Sequence, residues 1–115
     1  MQSYRVGCNM KITQIEKTAA FQNVHLVEAK QIYDTENATV IYMSLQPGQS
    51  LKKHTTPVDV FFYILEGKGT VEIGDERQEV QKDVLIESPK GIPHILQNSG
   101  EGVFRFLVVK LPKQK

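Results

Sequence analysis

The sequence has one cysteine, Cys8, which excludes an internal disulfide and a cysteine-rich zinc pattern. With no Cys or His beside it, Cys8 reads as an inert thiol. Charge of a dominant sign is lacking too: 14 Lys+Arg face 13 Asp+Glu, for a net +1. The basic stretches "LKKH" and "LPKQK" are short and separate, so there is no electrostatic footprint for nucleic acid. The longest apolar runs, "VFFYIL" and "FLVV", fall far below the roughly 20 residues of a membrane-spanning helix. The opening "MQSYRVGCNMK" has no apolar signal-peptide region. A cytoplasmic protein with neither nucleic-acid nor membrane partners is the expectation. No Ser/His/acid grouping and no phosphate-cradling glycine loop is found, which removes support for a nucleophilic hydrolase or a nucleotide enzyme.

What is present is a succession of strands. "ATVIYMSL" is β-branched and apolar and stops at Pro47-Gly48. "VFFYILEG" follows, then "GTVEIGDERQEV", in which a Gly-Asp or Asp-Glu turn makes a hairpin. "DVLIESP", "PHILQN" and "VFRFLVVKL" complete the series, the last two divided by "SGEG". Short strands at this spacing indicate an all-β sandwich or barrel. Upstream, the pattern predicts a strand over Lys11–Ile15, a single-turn segment near Lys17–Phe21, a strand over His25–Tyr33 and a turn at "DTEN", with a helix over Leu26–Tyr33 as the competing assignment. One domain accounts for the 115 residues. Residues 1–37 pack on the barrel, 38–110 form its core and 111–115 a frayed tail, with residues 1–9 a loose extension if folding starts at Met10.

Strand parity then assigns faces. If His54 points inward, Thr56, Val60, Phe62 and Ile64 share its side, while Asp59, Phe61, Tyr63 and Leu65 take the other. Both faces of residues 60–65 are apolar, so one lines a cavity and the other packs on a second sheet or a partner. A symmetric homodimer is the expected assembly.

In this order the chain resembles a small single-domain cupin. The family's first motif runs Gly, five residues, His, one, His, three or four, Glu, six, Gly. Gly48, His54 and Gly67 match it, whereas Thr56 replaces the second His and Val60 the Glu. The second motif runs Gly, five residues, Pro, one, Gly, two, His, three, Asn. Pro89, Gly91, His94 and Asn98 match it, with Asp83 in place of the first glycine. The resemblance covers about residues 38–110 and implies an all-β cupin barrel, a double-stranded β-helix or jelly roll.

In metal-bearing cupins both first-motif His, the Glu and the second-motif His are ligands, so the resemblance leaves His54 and His94 as the metal residues here. Two imidazoles with waters can hold Zn, Ni, Fe, Mn or Cu, but weakly. Asp59 lies one residue from the acidic place and would enter only through a bulge after Pro57. His25 is a candidate third ligand or a half-exposed strand residue. Tyr42 and Tyr63 can offer hydroxyls but more simply pack, and Arg105 belongs on a solvated sheet face. The ligand-binding set is His54, Thr56, Phe62, His94 and Asn98, with Asn98 also suited to a turn.

Two functions follow. The first is a small-molecule-binding barrel with an incomplete His-based site, whose imidazoles suit an anionic or hydroxylated ligand. The second is a metal-dependent enzyme using His54 and His94, of the dioxygenase, sugar isomerase/epimerase or decarboxylase kind that cupins include. A barrel whose apolar faces serve assembly alone is the blander reading.

Overall fold

A computed structural model describes the strand at residues 3–6 and residues 9–113; the readings made for Cys8 and for residues 114–115 lie outside the described residues. Alternation of apolar and polar side chains sets the layers. The described residues form ten strands: β1 (Ser3–Val6), β2 (Met10–Thr13), β3 (Glu28–Asp34), β4 (Thr39–Leu45), β5 (Asp59–Glu66), β6 (Lys68–Ile73), β7 (Glu76–Gln81), β8 (Leu85–Ser88), β9 (His94–Gln97) and β10 (Phe104–Leu111). One sheet has the order β3-β4-β10-β5-β8, a second β7-β6-β9, and β1 pairs with β2 alone. All pairings are antiparallel.

Every second residue of the central strands points between the sheets. Val60, Phe62 and Ile64 of β5 meet Phe104, Phe106 and Val108 of β10 in one buried cluster, with Leu96 of β9 and Val71 of β6 facing them. The parity read from the sequence therefore holds through β5. On the outer face Arg105 donates from Nε to Tyr42 Oη at 2.8 Å and pairs with Glu66 at 3.0 Å, so it is a sheet-surface residue. Tyr63 likewise turns outward and donates to Asp83 Oδ1 at 3.1 Å.

The two tight turns that frame the site region use backbone freedom differently. Gly67 sits at φ +87°, and an added Cβ there would run into the Val103 carbonyl. Asp83, the residue in place of the family's glycine, adopts φ +69°, the left-handed conformation that Asp tolerates better than most side chains.

The N-terminal region differs from expectation in bounds rather than in kind. The strand expected at Lys11–Ile15 is β2, followed at once by a one-turn 3-10 helix, Ile15–Lys17. Lys30 Nζ donates to Ile15 O at 3.0 Å and ties that turn to β3. No helix forms over Leu26–Tyr33: from Glu28 on these residues supply the edge strand β3 that pairs with β4, so the strand expected from His25 begins three residues later. Residues ahead of Met10 contribute β1, paired with β2 from Ser3↔Thr13 to Val6↔Met10. At the other end β10 runs through Leu111, and Lys113 pairs with Asp34 at 2.9 Å.

Candidate functional site: a cup of three imidazoles and a lysine

The segment before β5 continues the smaller sheet. Ser50 bridges Gln97 and His54 bridges His94, with His54 N→His94 O at 3.0 Å and His94 N→His54 O at 2.8 Å. Residues directly opposite in an antiparallel pair project to the same face. The two motif histidines are therefore cross-strand neighbours, their ring centroids 5.7 Å apart. Two contacts fix His94: its Nδ1 lies 3.0 Å from Ser88 Oγ on β8, and Phe62 meets its ring edge-on at 5.2 Å. The Ser88 bond links the smaller sheet to the larger.

A third imidazole arrives from a loop. Asn23 Oδ1 accepts from His25 N at 3.1 Å, and Asn23 Nδ2 donates to Val27 O at 2.7 Å. This bracket turns the loop so that His25 Nδ1 accepts the Lys52 N–H at 2.8 Å, with its ring 6.0 Å from that of His54. In a neutral imidazole whose Nδ1 accepts, the proton must sit on Nε2. His25 thus offers its surroundings an N–H donor, not a lone pair.

His25, His54, Thr56, His94 and Lys110 line a small cup, floored by Ile41, Met43, Leu51, Val60, Phe62 and Val108. Its volume is about 50 Å³, less than two water molecules occupy in the liquid, at roughly 30 Å³ each. Among the described residues no carboxylate lines it. Burial pushes the His94 imidazole down to about 4, aided by repulsion from His54, Lys110 and His25. His25 and His54 are lowered as well, chiefly by burial, and burial lowers the Lys110 ammonium. The three rings are therefore neutral at pH 7.

Of the residues expected to bind ligand, His54, Thr56, Phe62 and His94 are brought together here. Asn98 is not among the lining: its Nδ2 donates to Leu45 O at 2.9 Å and Gly102 O at 2.8 Å, and its Oδ1 accepts from Gly100 N, which holds the turn before β10. Asp59 is exposed and accepts the Lys90 N–H at 2.9 Å, so the regular strand keeps it outside the cup. Lys110 was not read from the sequence. Its signal was there: it shares the parity of Phe106 and Val108 in "FRFLVVK".

The donor set does not complete a metal shell. Val60 offers nothing, Thr56 Oγ1 donates to Val58 O at 3.0 Å, and the His25 Nδ1 lone pair is engaged. Among the described residues no group of three or more His, Cys, Asp or Glu is placed to hold a metal ion. A larger hollow of about 770 Å³ opens between the edges of β7 and β8, over Val71, Val80, Val84 and Ile86. Its lining also includes the exposed Asp75, Glu76, Gln78 and Glu87, while the motif histidines lie in the small cup instead.

A barrel of two antiparallel sheets with motif histidines from both sides of a bridge defines the class, and comparison with known proteins agrees. Residues 41–110 match the cupin domain family, and the chain belongs to it. An uncharacterized protein of Methanocaldococcus jannaschii, MJ1618, is 36% identical over 62 residues, 54% of this chain and 49% of that one; the chain thus spans about half the length of that curated relative. Among solved structures, TT1209 of Thermus thermophilus is similar with 26% identity and a TM-score of 0.76, over 88% of this chain and 96% of that one. A predicted oxalate decarboxylase of Thermotoga maritima superposes with a TM-score of 0.81 over 89% and 99% of the two chains, at 19% identity, a likeness of fold alone.

Proposed function

We propose that this cupin barrel is a small-molecule-binding module whose cup takes a compact, acceptor-rich head group, a carboxylate or comparable oxyanion. The observation that carries the reading is convergence: three imidazoles and a lysine side chain line one cup, and among the described residues no acid lines it with them. The N–H of the His25 ring, which accepts through Nδ1, is a donor that a ligand acceptor entering the cup can meet. About 50 Å³ admits the head of such a molecule, the rest extending through the mouth.

Imidazole NMR with added acetate tests this. Saturable shifts of His94 and His54 are expected, with the His94 pKa rising on binding because an anion favours the charged ring. Histidine resonances that stay put throughout the titration would sink the reading.

The metal-dependent enzyme reading requires ligand atoms from substrate or water to complete a shell begun by His54 and His94 alone. Elemental analysis after metal titration checks it: loss of bound metal in His54→Ala/His94→Ala would support it, and undiminished tight binding there would remove it. A symmetric homodimer belongs to the same proposal, supported by the half-buried Phe61, Tyr63 and Leu65 on the outer face of β5. Light scattering that gave a monomer at micromolar concentration would overturn the pairing.

A further inference from the structure

The hollow between β7 and β8 is a seam where the barrel does not close. β8 ends the larger sheet, β7 ends the smaller one, and the two strands are not paired with each other. Register sets the floor of the seam. Glu76, Gln78 and Val80 of β7 stand opposite Ile73, Val71 and Gly69 of β6, so they share the inner face of the smaller sheet. Ile86 of β8 stands opposite Phe62 and faces them from the larger sheet, whereas Leu85 and Glu87, opposite Tyr63 and Phe61, stand on the rim. Two apolar side chains of the lining stay open to solvent, Leu85 at 51% and Ile92 at 39%. Asp75, Glu76 and Glu87 border this apolar floor, and among the described residues no Lys, Arg or His lines it. Arg77 takes the outer face, where it pairs with Glu72 at 3.6 Å, and the exposed Lys82 and Lys90 flank β8 outside the lining.

We propose that this seam is a docking groove for an extended, cationic amphipathic peptide, one that alternates apolar residues with Lys or Arg. A strand at the edge of a sheet presents backbone N–H and C=O groups to an incoming chain, and strand addition to such an edge is a general mode of peptide recognition. Side chains of the added strand alternate between its two faces. Apolar residues on one face cover Val71, Val80, Val84 and Ile86, and cationic residues on the other face and at the end meet Glu87, Asp75 and Glu76. The apolar floor and the two open strand edges make the site, and the acids fix the sign of the partner. A second copy of the chain is the poorer occupant. A two-fold contact places the same patch on both subunits, so it would set these carboxylates against their own duplicates.

The test titrates the whole chain with an end-blocked heptapeptide of alternating lysine and valine, read by fluorescence anisotropy of the labelled peptide and by backbone amide NMR. Saturable binding is expected, with amide shifts concentrated on β7 and β8. In the double variant Glu76→Lys/Glu87→Lys, two exposed positions whose exchange leaves the core untouched, affinity should fall at least about tenfold. Peptides of alternating glutamate and valine, or lysine and serine, should also bind at least about tenfold more weakly, for want of the matching charge or of the apolar face. Absence of saturable binding, or equal affinity in the double variant, overturns the proposal. Equal binding of the lysine–serine peptide overturns it as well, since the apolar floor would then play no part. Hexylammonium binding as tightly as the peptide would make the seam a small-amphiphile site instead. A dimer in light scattering that excludes the peptide would give the seam to a second copy, and either result removes the peptide reading.

Discussion

His94 shows how a single side chain couples packing to pH. Its ring is buried against Phe62 and Ser88, and its folded pKa lies at about 4 against an ordinary 6.5. Above pH 6.5 the ring is neutral in folded and unfolded chains alike, so its stabilising contribution is complete. As pH falls from 6.5 toward 4 the unfolded chain binds the proton first, and stability is lost through that window. His25 and His54, also lowered, act in the same direction. Denaturant melts should show a loss of about 1–2 kcal/mol from His94 between those limits, discounted because the cup opens to solvent. In His94→Gln the pH slope should flatten. An unchanged slope in that variant would assign the loss to other groups.

Asp83 is a second residue whose role is set by its own backbone. At φ +69° it occupies a conformation open to glycine without strain, and its side-chain bond from Tyr63 is exposed. Asp83→Gly should leave thermal stability within about 0.5 kcal/mol of wild type, whereas Asp83→Val should cost about 1–2 kcal/mol. Equal melting temperatures for the two variants would contradict this. Residue by residue, the site is unevenly legible. His54 and His94 follow from motif spacing, and Thr56 and Phe62 from parity. Lys110 is legible by the same parity, but at the end of a strand it reads as a terminal charge. His25 is not readable, because its placement depends on the Asn23 bracket and a bond from Lys52, neither of which has a periodic signature.

At the scale of elements, strands with clean alternation are located well, and turns rich in Gly, Pro and Asp mark their ends. The region before Ala38 is harder for a physical reason: β3 is an edge strand, and its residues Glu28–Asp34 alternate weakly because only Ala29 is fully buried. Pairing with β4, a tertiary event, decides strand over helix there. The connection between β5 and β6 yields a sharper test. Gly67→Ala would require a methyl at φ +87° against the Val103 carbonyl. A loss of about 2–4 kcal/mol is expected by chemical denaturation. Gly102→Ala, where an added Cβ meets nothing within 4 Å, is the matched control. Similar behaviour of the two variants would show that the β5–β6 corner can relax.

Across the whole molecule, the larger sheet supplies Lys110 and Ser88, the smaller sheet supplies His94, and its continuation supplies His54. Docking of the sheets and assembly of the cup are therefore one event. A carboxylate that binds here should stabilise the folded chain with a logarithmic dependence on its concentration, by about 2.7 kcal/mol at a hundredfold excess over Kd, and so raise the melting temperature. Thermal scans with acetate check this, and a concentration-independent melting temperature would argue against binding to the folded state.

The four nitrogen-bearing side chains of the cup come from positions 25, 54, 94 and 110 of a 115-residue chain. Contacts so distant in sequence close late in folding, since long loops must be ordered before such contacts form. A nascent or partly folded chain therefore has no site. Ligand should slow global unfolding far more than it speeds refolding, and amide exchange should register its arrival in β5, β9 and β10 together rather than in any one loop.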